Sequence, residues 1–160
     1  MRLKTAAVIA ASVASAVLFA VPALAAGQAG TTQVSTFDAT GAQFACSDGT
    51  TYTALGGTVH TILHDSFSAN GAEHVTGTTS PTHVTLTDGT SSTIYSLSGA
   101  TWFGGNLNQA TGQFEFTDTG FFNIIAPGGG VVAKVAGVEH ASSGGANFSF
   151  NFGNCQAPQD

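Results

Sequence analysis

The sequence has very few basic residues, and after its first few positions it has almost none. Three Lys and Arg stand against nine Asp and Glu in 160 residues, and Arg2 and Lys4 are two of the three. Lys134 is the only basic residue after residue 25, and all nine acids also lie after residue 25. That part of the chain therefore has a formal charge of −8. Binding to nucleic acid or anionic lipid depends on clustered Lys and Arg. We therefore expect no nucleic acid partner.

The first 25 residues have the pattern of a secretory signal peptide. Arg2 and Lys4 precede an apolar run from Ala6 to Val21, and Pro22 then leads into Ala23-Leu24-Ala25, an A-x-A cleavage site. We predict cleavage after Ala25 and a secreted, extracellular mature protein. The apolar run is shorter than the roughly 20 residues that span a bilayer, and no later segment is apolar enough, so we expect no membrane span in the mature protein.

Cysteine is limited to Cys46 and Cys155, both beyond the signal peptide. An even number of cysteines in an exported chain indicates a disulfide, and two cysteines allow one intramolecular pairing. The bond would close a loop of about 100 residues and stabilise the fold by at most about 4 to 5 kcal/mol. The predicted organisation is a signal peptide at 1–25, an N-terminal segment at 26–45, a disulfide-closed β domain at 46–155 and a tail at 156–160.

The sequence also lacks the apolar spacing of an amphipathic helix after its signal peptide. Gly, Thr, Ser and Phe dominate, and the apolar residues alternate with polar ones, which is typical of β-strands. Turn residues such as Asn70-Gly71 and Asp88-Gly89 separate the alternating segments. The predicted strands are Gln33 to Asp38, Thr50 to Phe67, Glu73 to Thr87, Thr93 to Phe103, Gln113 to Ile125, Val131 to His140 and Asn147 to Phe152.

Seven or eight antiparallel strands joined by short turns predict an all-β fold, an up-and-down β-barrel. A β-sandwich is the alternative, although it needs longer crossover connections. Gly56-Gly57 lies within a long predicted strand, where glycine permits the bend that closes a barrel. The disulfide fits this arrangement because the last strand of a barrel returns beside the first.

Two of the predicted strands are rich in phenylalanine. In Asn147 to Phe152 the three rings share one face, so we predict that they enter the core. In Gln113 to Ile125, Asp118 and Gly120 interrupt the apolar face and indicate a bulge or bend, with Phe121 pointing outward or lying within the bulge. The rings concerned are Phe148, Phe150 and Phe152 in the first strand, and Phe114, Phe116 and Phe122, with Ile124, in the second.

Five histidines are the most suggestive chemical groups, but their spacing does not predict a metal site. His60 and His64 would be about 13 Å apart on one strand, at about 3.3 Å per residue, and could not share an ion. A site would need partners across a hairpin, such as His64 or Asp65 with His74. The other two are His83 and His140, and no zinc motif is present. We predict no metal and no cofactor.

Catalytic motifs are absent as well. There is no G-x-S-x-G sequence. Glu115 and Asp118, three residues apart on a regular strand, face opposite sides, and the neighbours Glu139 and His140 also alternate. A bulge between Glu115 and Asp118 could bring those two to one side, but regular strands bring together no acid and base pair.

The segment around the single tryptophan supplies the candidate ligand-binding residues, Trp102, Phe103 and Tyr95. Aromatic rings at a barrel rim stack on a ligand or a sugar, or they plug the end of the barrel. We predict plugging, because the sequence identifies no second exposed aromatic residue to share a ligand with Trp102.

The layout resembles a group of small secreted actinobacterial proteins of unknown function. The likeness rests on the leader, the two cysteines, Gly56 to His60, "GATWFGGNLN" (Gly99 to Asn108), "IIAPGGG" (Ile124 to Gly130) and the Phe-rich last strand. It spans most of the mature chain and implies no catalytic residue. The architecture is more loosely similar to calycin and allene oxide cyclase-like barrels, a likeness of fold alone.

Two functional hypotheses follow. The first is a secreted, non-enzymatic β-barrel, either filled or holding a small apolar ligand, or acting at the cell envelope. The second is a small barrel enzyme of the isomerase or cyclase type, using interior His, Glu or Tyr side chains such as His64, His74 or Glu115. The residues that line the barrel interior decide between the two.

Overall fold

The structure, a computed structural model, describes residues 30–145 and 147–156. The predicted signal peptide and most of the predicted tail lie outside these residues. Within the described residues there is no helix that is long and apolar enough to cross a membrane. The described strands are β1 (Thr31–Asp38), β2 (Gln43–Cys46), β3 (Thr51–Phe67), β4 (Ala72–Thr87), β5 (Tyr95–Asn108), β6 (Gln113–Ile125), β7 (Val131–Ser142), β8 (Phe148–Asn151) and β9 (Cys155–Gln156).

Seven of the described strands close into a barrel. β2 to β7 pair in chain order, β7 pairs with β9, and β9 returns to pair with β2. The predicted barrel of about seven strands is thus confirmed. The pairing is not purely antiparallel, because Val135 of β7 meets Cys155 of β9 in a parallel arrangement. The chain reverses after β8, where Phe152 and Gly153 both donate N–H groups to the carbonyl of Ala136, and β9 then runs in the direction of β7.

The two remaining strands extend the open end of the barrel. β1 is the early strand that the sequence predicts, and it pairs with β3 between Thr58 and Asp65. β8 pairs with β7 between Gly137 and His140. Within the described residues no ladder joins β1 to β8. The barrel is therefore closed at the β2–β9 end and splayed at the other end.

The disulfide between Cys46 and Cys155 is formed, as predicted. The two residues are direct partners in the β2–β9 ladder, so the bond joins the first and last strands of the ring. A disulfide of this kind is compatible with an oxidising environment outside the cytoplasm.

The core fills the closed end. Leu86 and Ile124 have no exposed surface, and Phe44 and Tyr52 are buried beside them. The other buried members of this cluster are small or medium in size, which lets seven strands approach one another closely. They are Ala39, Ala54, Val84, Ala133, Val135 and Cys155.

Gly57 provides the predicted bend in β3. Its φ is +106°, and the β3–β4 register shifts on both sides of Gly56. A Cβ atom at Gly57 would lie 2.5 Å from Cα of Val84, so another residue would have to push the strands apart. The predicted hairpin turns are also present, with positive φ at Gly71 and Gly89.

The bulge predicted within β6 is wrong. β6 pairs without interruption with β7 from Glu115 to Ile124, and the register shifts only beyond that point. Gly120 serves a different purpose: a Cβ atom there would lie 3.1 Å from Cγ2 of Thr101. The absence of a side chain at Gly120 leaves room for Thr101 on the neighbouring strand. It does not mark an extra residue in β6.

Candidate functional site

The inner and outer faces of the barrel wall follow from its buried residues. Ile124 and Ala133 are direct partners on β6 and β7, and both belong to the core. Because side chains alternate along a strand, Asp118 and Glu139 share this inner face. Phe121 has the opposite parity and lies on the outer face.

Two acids are direct neighbours on the inner face. Asp118 lies opposite Glu139, and Phe103 of β5 lies on its other side. Burial raises the pKa of Asp118, and the charge of Glu139 raises it further. Among the described residues Oδ1 of Asp118 has no hydrogen-bond partner. Burial also raises the pKa of Asp65, on the inner face of β3. The pair is not evident from the sequence, because residues 118 and 139 meet only through the β6–β7 register.

Tyr95, one of the predicted ligand-binding residues, lies in the closed half of the barrel. Its ring packs edge to face on Tyr52, with centroids 5.1 Å apart, and its hydroxyl donates to Oδ2 of Asp88 at 2.9 Å. Backbone N–H groups of Ser91 and Thr90 lower the pKa of Asp88, and the Tyr95 hydroxyl adds to the effect. These contacts tie the β4–β5 hairpin to the core, which is a structural role.

Trp102 and Phe103 lie on opposite faces of β5. Phe103 is on the inner face, stacked on Phe116 with centroids 6.2 Å apart, and it covers Gly77. Trp102 is 54% exposed on the outer face. The prediction that Trp102 plugs the barrel is wrong, because adjacent residues on a regular strand face opposite sides and Phe103 takes the inner position. The three predicted ligand-binding residues are thus not brought together.

The three rings of the last predicted strand are also on the outer face, contrary to prediction. β8 places Ser149 opposite Glu139 and Phe150 opposite Val138. The polar residues Ser149 and Asn151 therefore face inward, toward the acidic wall, and the rings face solvent. Alternation predicts two faces but does not say which is inner, and a shift of one residue exchanges them.

These rings form one outer surface with Trp102. Phe121 lies diagonally across from Trp102, whose direct partner on β6 is Thr119. Thr119 is opposite Val138, and Val138 is opposite Phe150. We call this surface the aromatic face. It consists of Trp102, Phe121 (38% exposed), Phe148 (55%), Phe150 (63%) and Phe152 (58%), with Val138 between them.

A polar groove borders the aromatic face along β4, β5 and β6. It has a volume of about 250 Å³ and follows Gly104 and Gly105, which have no side chains to fill it. Nδ1 of His74 donates to Oδ1 of Asn106 at 2.8 Å, which fixes both side chains at one wall. The remaining lining residues are Thr76, Glu115 and Thr117. A wider depression of about 470 Å³ continues from Asn106 and Glu115 toward the barrel rim.

His140 connects the groove with the aromatic face. Its Nδ1 shares a hydrogen bond of 3.0 Å with the hydroxyl of Thr117, and its ring stacks on Phe148 at 5.2 Å. Trp102 lies two residues before Gly104 on the same face of β5. Hydrogen-bonding groups and exposed rings are therefore adjacent on one side of the barrel.

The residues proposed for an interior catalytic site lie elsewhere. His64 shares a hydrogen bond with Thr32 across β1 and β3, and His74 and Glu115 line the outer groove. All three have outer-face parity, so the structure does not bring them together inside the barrel. Glu115 and Asp118 lie on opposite faces, as predicted. Among the described residues no group of three His, Cys, Asp or Glu could hold a metal ion.

Sequence reasoning missed the aromatic face because its rings come from strands that are distant in the chain. Trp102 and Phe150 are separated by two intervening strands of the sheet and by 48 positions in the sequence. The sequence does show that Ser149 and Asn151 alternate with the rings of β8. These polar residues could therefore have been assigned to the inner face, beside Glu139.

The fold and the surface together define a closed β-barrel with an exposed aromatic face beside a polar groove. Comparisons with protein-family models, with curated proteins and with solved structures found no match.

Proposed function

We propose that this protein is a non-enzymatic, secreted binding protein whose aromatic face is its binding surface. The observation that carries the proposal is the grouping of Trp102 with four exposed phenylalanine rings on one side of the barrel. Five aromatic side chains, between 38% and 63% exposed, make a patch within the range of roughly 300 to 600 Å² that is usual for the largest apolar patch of a monomer. Patches of this size mark interaction sites.

The distribution of charge supports the same surface. Of the outward positions on β5 to β8, only Glu115 and Lys134 carry a charge, in a chain with nine acids. Glu115 lies at the groove and Lys134 toward the closed end of the barrel. The centre of the aromatic face is therefore uncharged, and a partner can approach it without the repulsion that the other surfaces of an acidic protein would exert.

A sedimentation experiment tests this proposal. The secreted protein is mixed with isolated bacterial envelopes, insoluble cellulose, chitin or phosphatidylcholine vesicles, and the bound fraction is measured after centrifugation. We expect binding to at least one of these, and a fall of at least about fivefold for a variant with Trp102→Ala and Phe150→Ala, since hot-spot aromatics dominate such contacts. Ile94→Ala is the matched control, because Ile94 is 48% exposed but lies outside the aromatic face. Equal binding by wild type and double variant, or no binding at all, contradicts the proposal.

A small apolar ligand at the open end of the barrel is the second candidate. The observation that favours it is the inner position of Phe103 and Phe116, stacked on each other beside Asp118 in the splayed half. Titration with an apolar fluorescent dye should then show saturable binding that Phe103→Ala weakens and that Trp102→Ala leaves unchanged. Dye binding that responds to Trp102→Ala alone contradicts this second site.

A further inference from the structure

We propose that the aromatic face and the polar groove together bind an uncharged polysaccharide with β-1,4-linked hexose units. This inference rests on the proposed function and names the class of ligand for the same surface. It follows from the juxtaposition of exposed rings with a groove of fixed hydrogen-bonding side chains.

The surface combines exposed aromatic rings with hydrogen-bonding side chains, and a sugar can use both. A pyranose ring has a face of C–H groups that stacks on an aromatic side chain and an edge of hydroxyl groups that need hydrogen bonds. Trp102 provides a stacking surface. Four residues further along β5, about 13 Å away at about 3.3 Å per residue, Asn106 and its cross-strand partner His74 hold each other in place at 2.8 Å. A lipid or an apolar peptide would contact the rings but would gain no hydrogen bonds from the groove.

The arrangement of the rings suits an extended ligand. The rings lie on β5, on β6 and on or just after β8, with β7 between the last two strands. Neighbouring strands are about 4.8 Å apart, so Trp102 and Phe150 are separated by about 14 Å. Phe148 and Phe150 add a second direction along β8, at about 3.3 Å per residue. A β-1,4-linked chain is an extended ribbon with apolar faces, and it can contact several rings at once. An α-1,4-linked chain coils, so fewer of its units can stack on such a row of rings at once.

The distribution of charge favours a neutral ligand. The aromatic face has no charged group at its centre, and the protein outside it is acidic. Long-range repulsion disfavours anionic lipids, nucleic acids and acidic polymers. A neutral glycan loses nothing to this repulsion, and the carboxylate of Glu115 in the groove can accept hydrogen bonds from its hydroxyls.

Trp102 is the only tryptophan in the chain, so its fluorescence reports directly on this surface. We would titrate the protein with cellohexaose, chitohexaose and maltohexaose, and with the corresponding disaccharides. The expected result is a saturable blue shift with one or both β-linked hexasaccharides, with weaker binding of the disaccharides and no shift with maltohexaose. Phe150→Ala should weaken binding roughly fivefold to tenfold, as loss of one stacking ring implies. Ile94→Ala should have no effect.

Further measurements separate the failure of this inference from that of the proposed function. Phosphatidylglycerol vesicles are titrated in parallel, and sedimentation velocity is measured across a range of protein concentrations. A response to vesicles alone, or self-association through the aromatic face without glycan binding, overturns the polysaccharide and leaves a binding surface in place. An equal response to maltohexaose, or none to any glycan, also overturns it. Asn106→Ala, which removes the partner of His74, should weaken glycan binding without altering the emission of the free protein.

Discussion

Asp118 and Glu139 lie directly opposite each other on the inner wall of the barrel, in the β6–β7 ladder. Burial disfavours the charged form of Asp118 and raises its pKa, and the charge of Glu139 raises that pKa further. The inner wall thus contains two adjacent acids, of which Asp118 is the one whose pKa is raised, and Ser149 and Asn151 of β8 face inward beside Glu139.

The raised pKa of Asp118 predicts a pH-dependent stability. Below the ordinary value near 3.8 the carboxyl is protonated in both the folded and unfolded chains and contributes nothing. As the pH rises through the raised folded pKa, the unfolded chain releases its proton more readily, so the folded state loses stability. Asp118→Asn should therefore raise Tm at pH 7 and leave it nearly unchanged at pH 3.

Thermal unfolding at several pH values measures this effect. Asp88→Asn is a useful comparison, because hydrogen bonds lower the pKa of Asp88 and its contribution has the opposite sign: its stabilising effect is lost as the pH falls below 3.8. A Tm at pH 7 that Asp118→Asn leaves unchanged or lowers would show that the pair is not destabilising.

The disulfide predicts a second effect on stability. Replacing both Cys46 and Cys155 by serine removes the bond that joins β2 to β9, and we expect a loss of about 2 to 5 kcal/mol in the free energy of unfolding. Urea unfolding measures it. The wild-type protein in a reducing agent should match the double variant. An unchanged unfolding midpoint would mean that the ladder closes the barrel without the bond.

Gly77 makes the position of Phe103 testable. A Cβ atom at residue 77 would lie 2.3 Å from Cζ of Phe103 and 2.6 Å from the carbonyl oxygen of Ile62. Gly77→Ala should therefore destabilise the fold by about 1 to 3 kcal/mol, as overpacking does. Gly130→Ala is the control, since a Cβ atom at Gly130 contacts nothing within 4 Å. If both variants unfold at the same urea concentration, Phe103 does not cover Gly77.

The sequence was sufficient for most of the architecture. Alternation and turn chemistry gave the bounds of β6 correctly and those of β3, β4 and β7 to within two residues, while Gly56-Gly57 located the bend. β2 and β9 are too short to show a period, although the cysteines marked both. Strand bounds and bends depend on residues that are close in the sequence, so the sequence is enough to predict them.

The candidate site could not be predicted in the same way. Phe150 and Trp102 become neighbours on one surface only through the register of four strands, and which face of β8 is inner depends on its pairing with β7. The rings of the last strand were predicted to lie in the core because phenylalanine is usually buried. Only the opposing positions of Ser149 and Glu139 reverse that interpretation.

The emission of Trp102 in the free protein tests the central claim most directly. If Trp102 belongs to an exposed aromatic face, its emission lies close to that of free tryptophan and acrylamide quenches it efficiently, with Phe103→Ala having little effect on either. A blue-shifted emission that acrylamide hardly quenches would place Trp102 inside the barrel and contradict the account.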